Sequence, residues 1–353
     1  MSRKLFSLCS DGKLEEVRSA LRRGDNVNSR GPPFKGTALM HAIAEKHTPV
    51  VKLLLEQPLL GVNSKDEDGA TALHYAVIHR NPEALELLLA DSRLNSVDPV
   101  TSSGESPLMM AVRMKRNAMV RVLLAQDGVD VNRKRKEDGK TIVHMAALCN
   151  NVEGLKLILA DRRLSTALNT CDIEFCSPLM LAVAEGQRME VVRRLLKHPG
   201  VDVNQTNKGG HSALHYAAMF GRTEEARLIL TQSLEKVDLN IQEVNTGQMA
   251  LHVAVFQHNN DIVQLLLEQP DLDVNCVDFE GNNILVYALA HGNSEAEQML
   301  ATHPRFNVSK QSDKESKITF TPFNPAFFPF VIVFCTTIFS DNNLNTVADM
   351  HQR

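Results

Sequence analysis

The sequence predicts an all-α solenoid, a stack of helix–turn–helix units from which β-hairpin turns project. Three observations predict it. A six-residue phrase recurs along the chain, a second apolar stretch with helical periodicity follows each phrase, and a glycine-containing turn precedes most phrases. The 353 residues also exceed the roughly 100–200 of an ordinary compact domain, which favours one repeated unit over a single core.

The recurring phrase consists of Thr or Ser, any residue, Leu, His or Met, any residue, and Ala. Successive phrases begin 34 to 37 residues apart. This regular spacing indicates one structural unit per phrase. The phrases begin at Thr37, Thr71, Ser106, Thr141, Ser177, Ser212, Met249 and Asn283, of which the last is the weakest match.

A second helix is predicted after each phrase, as at residues 50–55. Thr48 and Asn81 each precede a proline, which places a capping side chain before a proline at the first helical position. Prolines such as Pro58 lie just past the helix ends, where proline cannot continue the hydrogen-bond pattern. A tight turn such as 66–69, with a glycine, then leads to the next phrase.

The phrases also define the domain boundaries. Residues 1–36 lack the phrase but keep a second-helix pattern, and their first helix has a polar face, as expected of a repeat with a neighbour on one side only. We therefore predict an N-terminal capping repeat and first hairpin over 1–36, and eight full repeats over 37–309. A polar linker, 310–317, and a tail without repeats, 318–353, follow.

The phrase and its period resemble those of the ankyrin-repeat family, whose signature is Thr-Pro-Leu-His-x-Ala with a period of about 33 residues. The resemblance covers residues 1 to about 309. Proline fills the second position only at Pro107 and Pro178, and Phe175 replaces a turn glycine, so we expect an irregular hairpin there. The resemblance implies a non-enzymatic scaffold or adaptor that binds a protein partner through its inner helices and hairpin tips.

Transferring the family's binding surface to this chain gives two residues near the end of each inner helix. Several of them are apolar here, which favours a binding groove. The alternative is that they pack between neighbouring repeats. The predicted partner-binding residues are Ile78, His79, Arg113, Met114, Leu148, Met219, Phe220, Phe256 and Gln257.

The sequence predicts no catalytic residue, no cofactor and no metal site. The phrase histidines occur once per repeat, so stacking separates them by about 10 Å, too far for a shared zinc ion with ligand bonds of about 2 Å. Structural histidines that hydrogen-bond the hairpin backbone are predicted instead. There is no glycine-rich phosphate loop and no nucleophile elbow. These histidines are His74, His144, His215 and His252.

Charge and composition restrict the kinds of partner and the cellular compartment. The net charge of −4 and the absence of Trp argue against nucleic acid. Six scattered cysteines fit a reducing compartment, and the first residues are too interrupted for a signal peptide, so we expect a cytoplasmic protein. We also expect a monomer. Nuclear or membrane association stays open. The basic run Arg133–Lys136 is either a solvated hairpin tip, an import signal or a contact for an acidic partner.

The resemblance also implies candidate targets of asparagine hydroxylation. Such asparagines follow a Leu, five residues, an acidic residue and an apolar residue, and Asn132, Asn204 and Asn275 fit this pattern. The structural alternative is that these side chains close the loop by hydrogen bonds.

The tail contains a stretch, 318–340, of 23 residues without a charge. Its length suits a membrane span of about 20 residues, but Pro322, Pro325 and Pro329 interrupt its first half. A membrane anchor, docking on the last repeat and an unstructured end stay open. Two alternatives to the free scaffold follow: a membrane-tethered adaptor, and a regulatory subunit of an enzyme on another chain.

Overall fold

The computed structural model describes residues 4–32, 34–233 and 236–307, which form nine antiparallel helix pairs, so the predicted all-α solenoid is confirmed. First helices pack on first helices of neighbouring pairs and make an inner layer, and second helices make an outer layer. The inner helices are α1 (Leu5–Ser10), α3 (Ala38–Ala44), α5 (Ala72–Ile78), α7 (Pro107–Arg113), α9 (Ile142–Leu148), α11 (Pro178–Glu185), α13 (Ala213–Phe220), α15 (Ala250–Phe256) and α17 (Ile284–Ala290). The outer helices are α2 (Leu14–Arg22), α4 (Thr48–Leu55), α6 (Pro82–Leu89), α8 (Asn117–Leu124), α10 (Val152–Leu159), α12 (Met189–Leu196), α14 (Thr223–Gln232), α16 (Asn260–Leu267) and α18 (Ser294–Thr302).

The first hairpin is a short antiparallel pair, β1 (Arg30–Gly31) and β2 (Gly36–Thr37), in which Arg30 lies opposite Thr37. A 3-10 turn, Thr166–Leu168, follows α10. The remaining hairpins in the described residues have isolated bridges or only turn hydrogen bonds. The helices therefore build the core, and the hairpins project from it.

Hydroxyl and amide side chains begin many of the helices. Ser106 accepts a hydrogen bond from the Met109 amide at 3.3 Å, and Asn81 accepts one from the Ala84 amide at 3.0 Å. Thr48 was predicted to cap α4, but it lies inside that helix, and its hydroxyl donates to a carboxylate of the next repeat at 2.9 Å. That prediction is wrong because the chain turns into the helix one residue earlier.

An asparagine after most of the outer helices hydrogen-bonds the next repeat. Asn204 donates from Nδ2 to the Lys236 carbonyl at 2.8 Å and accepts at Oδ1 from the Asp238 amide at 2.7 Å. Each asparagine thus satisfies one carbonyl and at least one amide of the next repeat. This asparagine ladder comprises Asn28, Asn63, Asn132, Asn169, Asn204, Asn240 and Asn275.

Asp98 occupies the ladder position between the second and third full repeats. A carboxylate has no amide donor, and the contacts differ accordingly. Oδ2 accepts from the Asp130 amide at 3.3 Å and from Arg133 Nε at 2.9 Å. Oδ1 is buried and has no hydrogen bond in the described part of the chain. This junction therefore depends on an ion pair that the other ladder positions do not need.

Arginines from the same loops stabilise the outer helix of the preceding repeat. Arg163 donates to the carbonyls of Leu124 and Gln126 at 2.5 and 2.7 Å, and its guanidinium is oriented by Asp161 at 3.0 and 2.6 Å. The last carbonyls of a helix lack partners and carry partial negative charge, so a guanidinium there is favourable. Arginines 93 and 305 do the same for α4 and α16.

Within the described residues, the hydrophobic core runs along the array, and the last helix pair has a neighbour on one side only. Val255 of α15 is fully buried, whereas Leu289, at the same position of α17, is 56% exposed. The difference arises because α17 covers α15, and no further described helix covers α17. Burial therefore depends on the neighbouring repeat as much as on the repeat itself.

No helix among the described residues is both long and apolar enough to span a bilayer. The linker 310–317 and the tail 318–353, with its uncharged segment 318–340, lie outside the described residues. The membrane anchor and its two alternatives remain predictions.

We predict that Asn132→Ala lowers the free energy of unfolding by about 1–3 kcal/mol, because its amide makes three hydrogen bonds to the next repeat, at 2.7, 3.0 and 3.2 Å. Urea unfolding followed by circular dichroism measures the loss. Asn245→Ala is the control, since that exposed hairpin side chain makes no hydrogen bond within the described residues. Equal losses in both variants would show that the ladder adds no stability.

Candidate functional site

The hairpins between repeats are hydrogen-bonded to one another, which places their tips in a row. The Val244 amide donates to the Gly209 carbonyl of the preceding hairpin at 2.9 Å, and the Phe279 amide donates to the Thr246 carbonyl at 2.8 Å. Because successive tips are joined through the backbone, side chains at the second turn position are held in register.

Exposed apolar side chains concentrate at these tips. Seven large apolar side chains are exposed in the described residues, and only Leu59 and Leu289 lie away from the hairpin tips. The others are Phe34, Ile173, Phe175, Val244 and Phe279, with exposures of 39%, 58%, 49%, 60% and 62%. We call Ile173, Phe175, Val244 and Phe279 the apolar tip row. Exposed apolar groups clustered in this way mark binding surfaces more often than isolated ones do.

Phe175 does not disrupt its hairpin, so the expected irregularity is wrong. Its φ of 61° lies in the left-handed region that glycine occupies in most of the other turns, and the Asp172 amide still donates to the Cys176 carbonyl at 3.1 Å. A phenylalanine in this conformation costs about 1–3 kcal/mol. Lys208 Nζ lies 6.0 Å from the ring centroid, within cation–π range. A strained aromatic residue is therefore held at an exposed tip.

Tyrosines and other aromatic rings connect the hairpins to the ends of the inner helices. The Tyr216 hydroxyl accepts from Asn207 Nδ2 of its own hairpin at 3.1 Å, and its ring stacks on Phe220 with centroids 6.2 Å apart. One repeat later, the rings of Phe256 and His291 meet edge to face at 4.4 Å. The inner face of the later repeats thus carries aromatic contacts both within a repeat and across a repeat boundary.

The structure places all nine predicted partner-binding residues at half-buried positions. The apolar side chains among them pack one side against the core and remain partly exposed. The two alternatives, packing between repeats and exposure in a groove, therefore both apply to the same side chains. Arg113 is held by Glu105, with Nε–Oε1 at 2.7 Å and Nη2–Oε2 at 3.0 Å. Partner binding by these residues stays a prediction. We call the nine the groove residues: Ile78, His79, Arg113, Met114, Leu148, Met219, Phe220, Phe256 and Gln257.

Sequence reasoning missed the apolar tip row. A signal was present in the turns themselves. The second turn position is polar in earlier repeats, at Glu67 and Ser102, and apolar in three later ones, at Ile173, Val244 and Phe279, with Lys208 as the exception. Comparing equivalent turn positions between repeats would have found the row.

Comparison with known families matches this architecture. The family model described as ankyrin repeats (3 copies) matches residues 5–98, 90–167, 162–243, 179–278 and 227–312. The chain belongs to the ankyrin-repeat family. Ankyrin repeats generally mediate protein–protein interaction and are not themselves catalytic.

Several curated ankyrin proteins are similar to this chain. E3 ubiquitin-protein ligase KEG of Arabidopsis thaliana is 29% identical over 295 residues, which is 79% of this chain and 17% of that protein. Inversin of Mus musculus is 28% identical over 248 residues, or 68% and 22%. Nuclear factor NF-kappa-B p105 subunit of Gallus gallus is 25% identical over 232 residues, or 65% and 20%. The chain spans about a fifth of the length of these relatives.

Three of the four phrase histidines hydrogen-bond the adjacent ankyrin repeat, whereas Nε2 of His252 is buried without a hydrogen-bond partner in the described residues. His144 Nδ1 accepts from the Thr141 amide at 3.1 Å, and Nε2 lies 3.0 Å from the Cys176 carbonyl of the next repeat. His74 and His215 make the equivalent contacts. An imidazole that accepts at one nitrogen and donates at the other is neutral. These histidines are structural, as the spacing predicts.

Burial keeps the phrase histidines neutral. It is the largest cause that lowers the pKa of His144 to about 4, of His215 to about 3 and of His252 to about 4. The methionine at the same position of other repeats, for example Met180, is uncharged at every pH. The position therefore requires a neutral side chain of suitable size.

The three candidate hydroxylation sites, Asn132, Asn204 and Asn275, all belong to the asparagine ladder. Both amide atoms of each side chain are hydrogen-bonded to the next repeat, which gives the structural role that the sequence left as the alternative. Hydroxylation itself stays a prediction.

The basic run Arg133–Lys136 is only partly available to a partner. Arg133 pairs with Asp98 at 2.7 Å, and Arg135 pairs with Asp138. Lys134 and Lys136 are exposed. An import signal or an acidic contact stays a prediction, with two lysines rather than four cations to carry it.

No group of three or more His, Cys, Asp or Glu side chains in the described residues is arranged to hold a metal ion. The five cysteines in this part of the chain are free thiols. Burial raises the pKa of Cys176 to about 12, and its Sγ lies 3.1 Å from the Tyr216 hydroxyl. Cys176 is therefore a protonated, packed thiol.

We predict that acid destabilises the array partly through His215. A buried histidine whose folded pKa is lowered contributes stability above its unfolded pKa of about 6.5, and this stability is lost as the pH falls toward the folded value of about 3. The free energy of unfolding of the His215→Met variant should therefore fall by about 2 kcal/mol less than that of wild type between pH 6.5 and 4.5. Urea unfolding at both pH values measures this difference. Equal losses would contradict a buried, neutral His215.

Proposed function

We propose that the protein is a non-enzymatic scaffold or adaptor that binds a protein partner with the apolar tip row and the groove residues of its later repeats. The observation that carries the proposal is the tip row, whose four side chains are 49–62% exposed. Covering apolar surface is favourable, and aromatic and Met side chains are enriched at protein interfaces. The cytoplasm, expected from the sequence, is the proposed site of action.

The groove residues supply a preorganised floor next to the tips. Phe220 is linked to its hairpin through the Tyr216 ring and the Tyr216–Asn207 hydrogen bond. Phe220 and Phe256 pack against the core on one side. Side chains already fixed by packing lose little rotamer freedom when a partner covers them, so more of the contact energy becomes affinity.

A second candidate function is supported by the relatives. KEG is named an E3 ubiquitin-protein ligase, and tankyrase of Caenorhabditis elegans is named a poly [ADP-ribose] polymerase; the chain matches 17% and 13% of their lengths. An array of this kind could therefore serve a catalytic domain on another chain as a regulatory subunit. Tethering to a membrane through 318–340 is a separate prediction.

We predict that Val244→Asp with Phe279→Asp reduces capture of protein partners by about tenfold or more, because two charges are placed on the apolar tip row. Affinity purification with quantitative mass spectrometry measures the change. The matched control is Leu59→Asp with Leu289→Asp, which alters two exposed leucines away from the hairpins. Both variants should keep the circular dichroism of wild type. An unchanged partner set in the tip variant would overturn the assignment.

We also predict that Phe175→Gly raises the free energy of unfolding by about 1 kcal/mol and weakens partner capture. Glycine relieves the left-handed strain at φ 61° but removes an exposed ring. Gln187→Gly is the control, since Gln187 has a φ of 52° and lies in a loop away from the tips. Thermal unfolding and capture are compared in both. A loss of capture in the control as well would contradict the role of the Phe175 ring.

A further inference from the structure

Four cations lie in the loops that join inner to outer helices in the first three full repeats. Lys46, Arg80 and Lys115 are exposed, and Arg116 is half-buried. We call these four residues the basic edge. At the loop positions held by Lys46, Arg80 and Lys115, the later repeats have Asn150, Gly186, Gly221, His258 and Gly292. Positive charge at this position is therefore confined to the early repeats.

Consecutive loops touch, so these cations are close to one another. The contact is visible at Gly221, where a Cβ would lie 2.8 Å from Oδ1 of Asn259, the residue that begins the outer helix of the next repeat. Arg80 holds the position of Gly221, and Arg116 holds that of Asn259. Arg116 consequently lies beside Arg80. Burial first, and then the charge of Arg80, lower the pKa of Arg116.

No carboxylate neutralises this edge. Arg113, the last residue of α7, pairs with Glu105 at 2.7 Å, and Arg188, which precedes α12 as Arg116 precedes α8, pairs with Glu185 at 3.4 Å. Within the described residues, none of the four basic-edge side chains forms a salt bridge, and Arg116 Nε is buried without a hydrogen-bond partner. Glu45 is exposed nearby and leaves most of the charge uncompensated. Adjacent like charges are unfavourable, and a bound anion would relieve the repulsion.

The spacing of the loops selects the shape of the anion. Neighbouring repeats lie about 10 Å apart, the usual distance between packed helices. A polyproline II segment rises 3.1 Å per residue with three residues per turn, so one of its faces repeats about every 9 Å. A carboxylate at every third residue of such a segment would meet one loop per repeat.

We propose that the basic edge binds an acidic, extended segment of the protein partner, with a carboxylate at every third residue. The inference rests on the proposed function, because the edge borders the inner helices that carry His79, Arg113 and Met114 of the groove. A long polyanion fits less well, since the whole chain carries a net charge of −4 and repels it beyond the edge.

The test uses a fluorescein-labelled peptide of five Glu-Pro-Pro units and the full chain, with binding followed by fluorescence anisotropy at low salt. Wild type should bind the peptide, and binding should weaken as salt screens the charges. Arg80→Gln with Lys115→Gln should weaken binding by about tenfold. The matched control, Arg121→Gln with Lys156→Gln, removes one exposed arginine and one exposed lysine from the outer helices α8 and α10 and should keep wild-type affinity.

Four outcomes overturn the proposal. The first two are no binding of the peptide and equal weakening of binding by both variants. The third is equal binding of a peptide that has its five glutamates in succession. The fourth is tighter binding of a uridine-rich RNA that is lost in the Arg80/Lys115 variant. The two proposals fail separately. The Val244→Asp with Phe279→Asp variant should bind the peptide as wild type does. If this variant loses partner capture and the Arg80/Lys115 variant does not, the result supports the scaffold function without the basic edge.

Discussion

The asparagine ladder is the constraint on which the surface of this array depends. Hydrophobic burial between helix pairs is strong but non-directional, so by itself it does not set the rotation of one repeat against the next. Asn204 holds a carbonyl and an amide of the following loop at 2.8 and 2.7 Å, and His144 holds a carbonyl on the hairpin side. Two directional contacts on opposite sides fix the register, and residues at equal positions therefore form rows.

The repeats could be predicted from the sequence because their signals are local. A phrase, a proline and a glycine act on the few residues around them. Exposure could not be predicted in the same way, because it depends on the neighbour: Val255 and Leu289 hold the same position, yet one is fully buried and the other is 56% exposed. The irregular hairpin predicted at Phe175 was wrong for a local reason. The backbone of Phe175 adopts the left-handed conformation of a turn glycine, so the hairpin stays closed.

The candidate site could be predicted in position but only partly in chemistry. The family resemblance placed the groove residues, and the structure finds them half-buried on the inner helices. It could not indicate that Glu105 would hold Arg113, or that Phe256 would meet His291 across a repeat boundary. The apolar tip row was missed because its members lie in three hairpins that are far apart in the sequence, and stacking of the repeats brings these hairpins into one row.

The array carries features that cost stability at separate places. Phe175 is strained, Arg80 and Arg116 repel, and Asp98 replaces a ladder amide with an ion pair. In a compact domain these costs would add within one cooperative core. In a solenoid each repeat contacts only its neighbours, so each cost is largely confined to its own junction and is opposed by the contacts of the junctions beside it. The fold can therefore vary its surface chemistry repeat by repeat, with charge on the early loops and apolar rings on the later tips, because the ladder preserves the spacing that makes each row a surface.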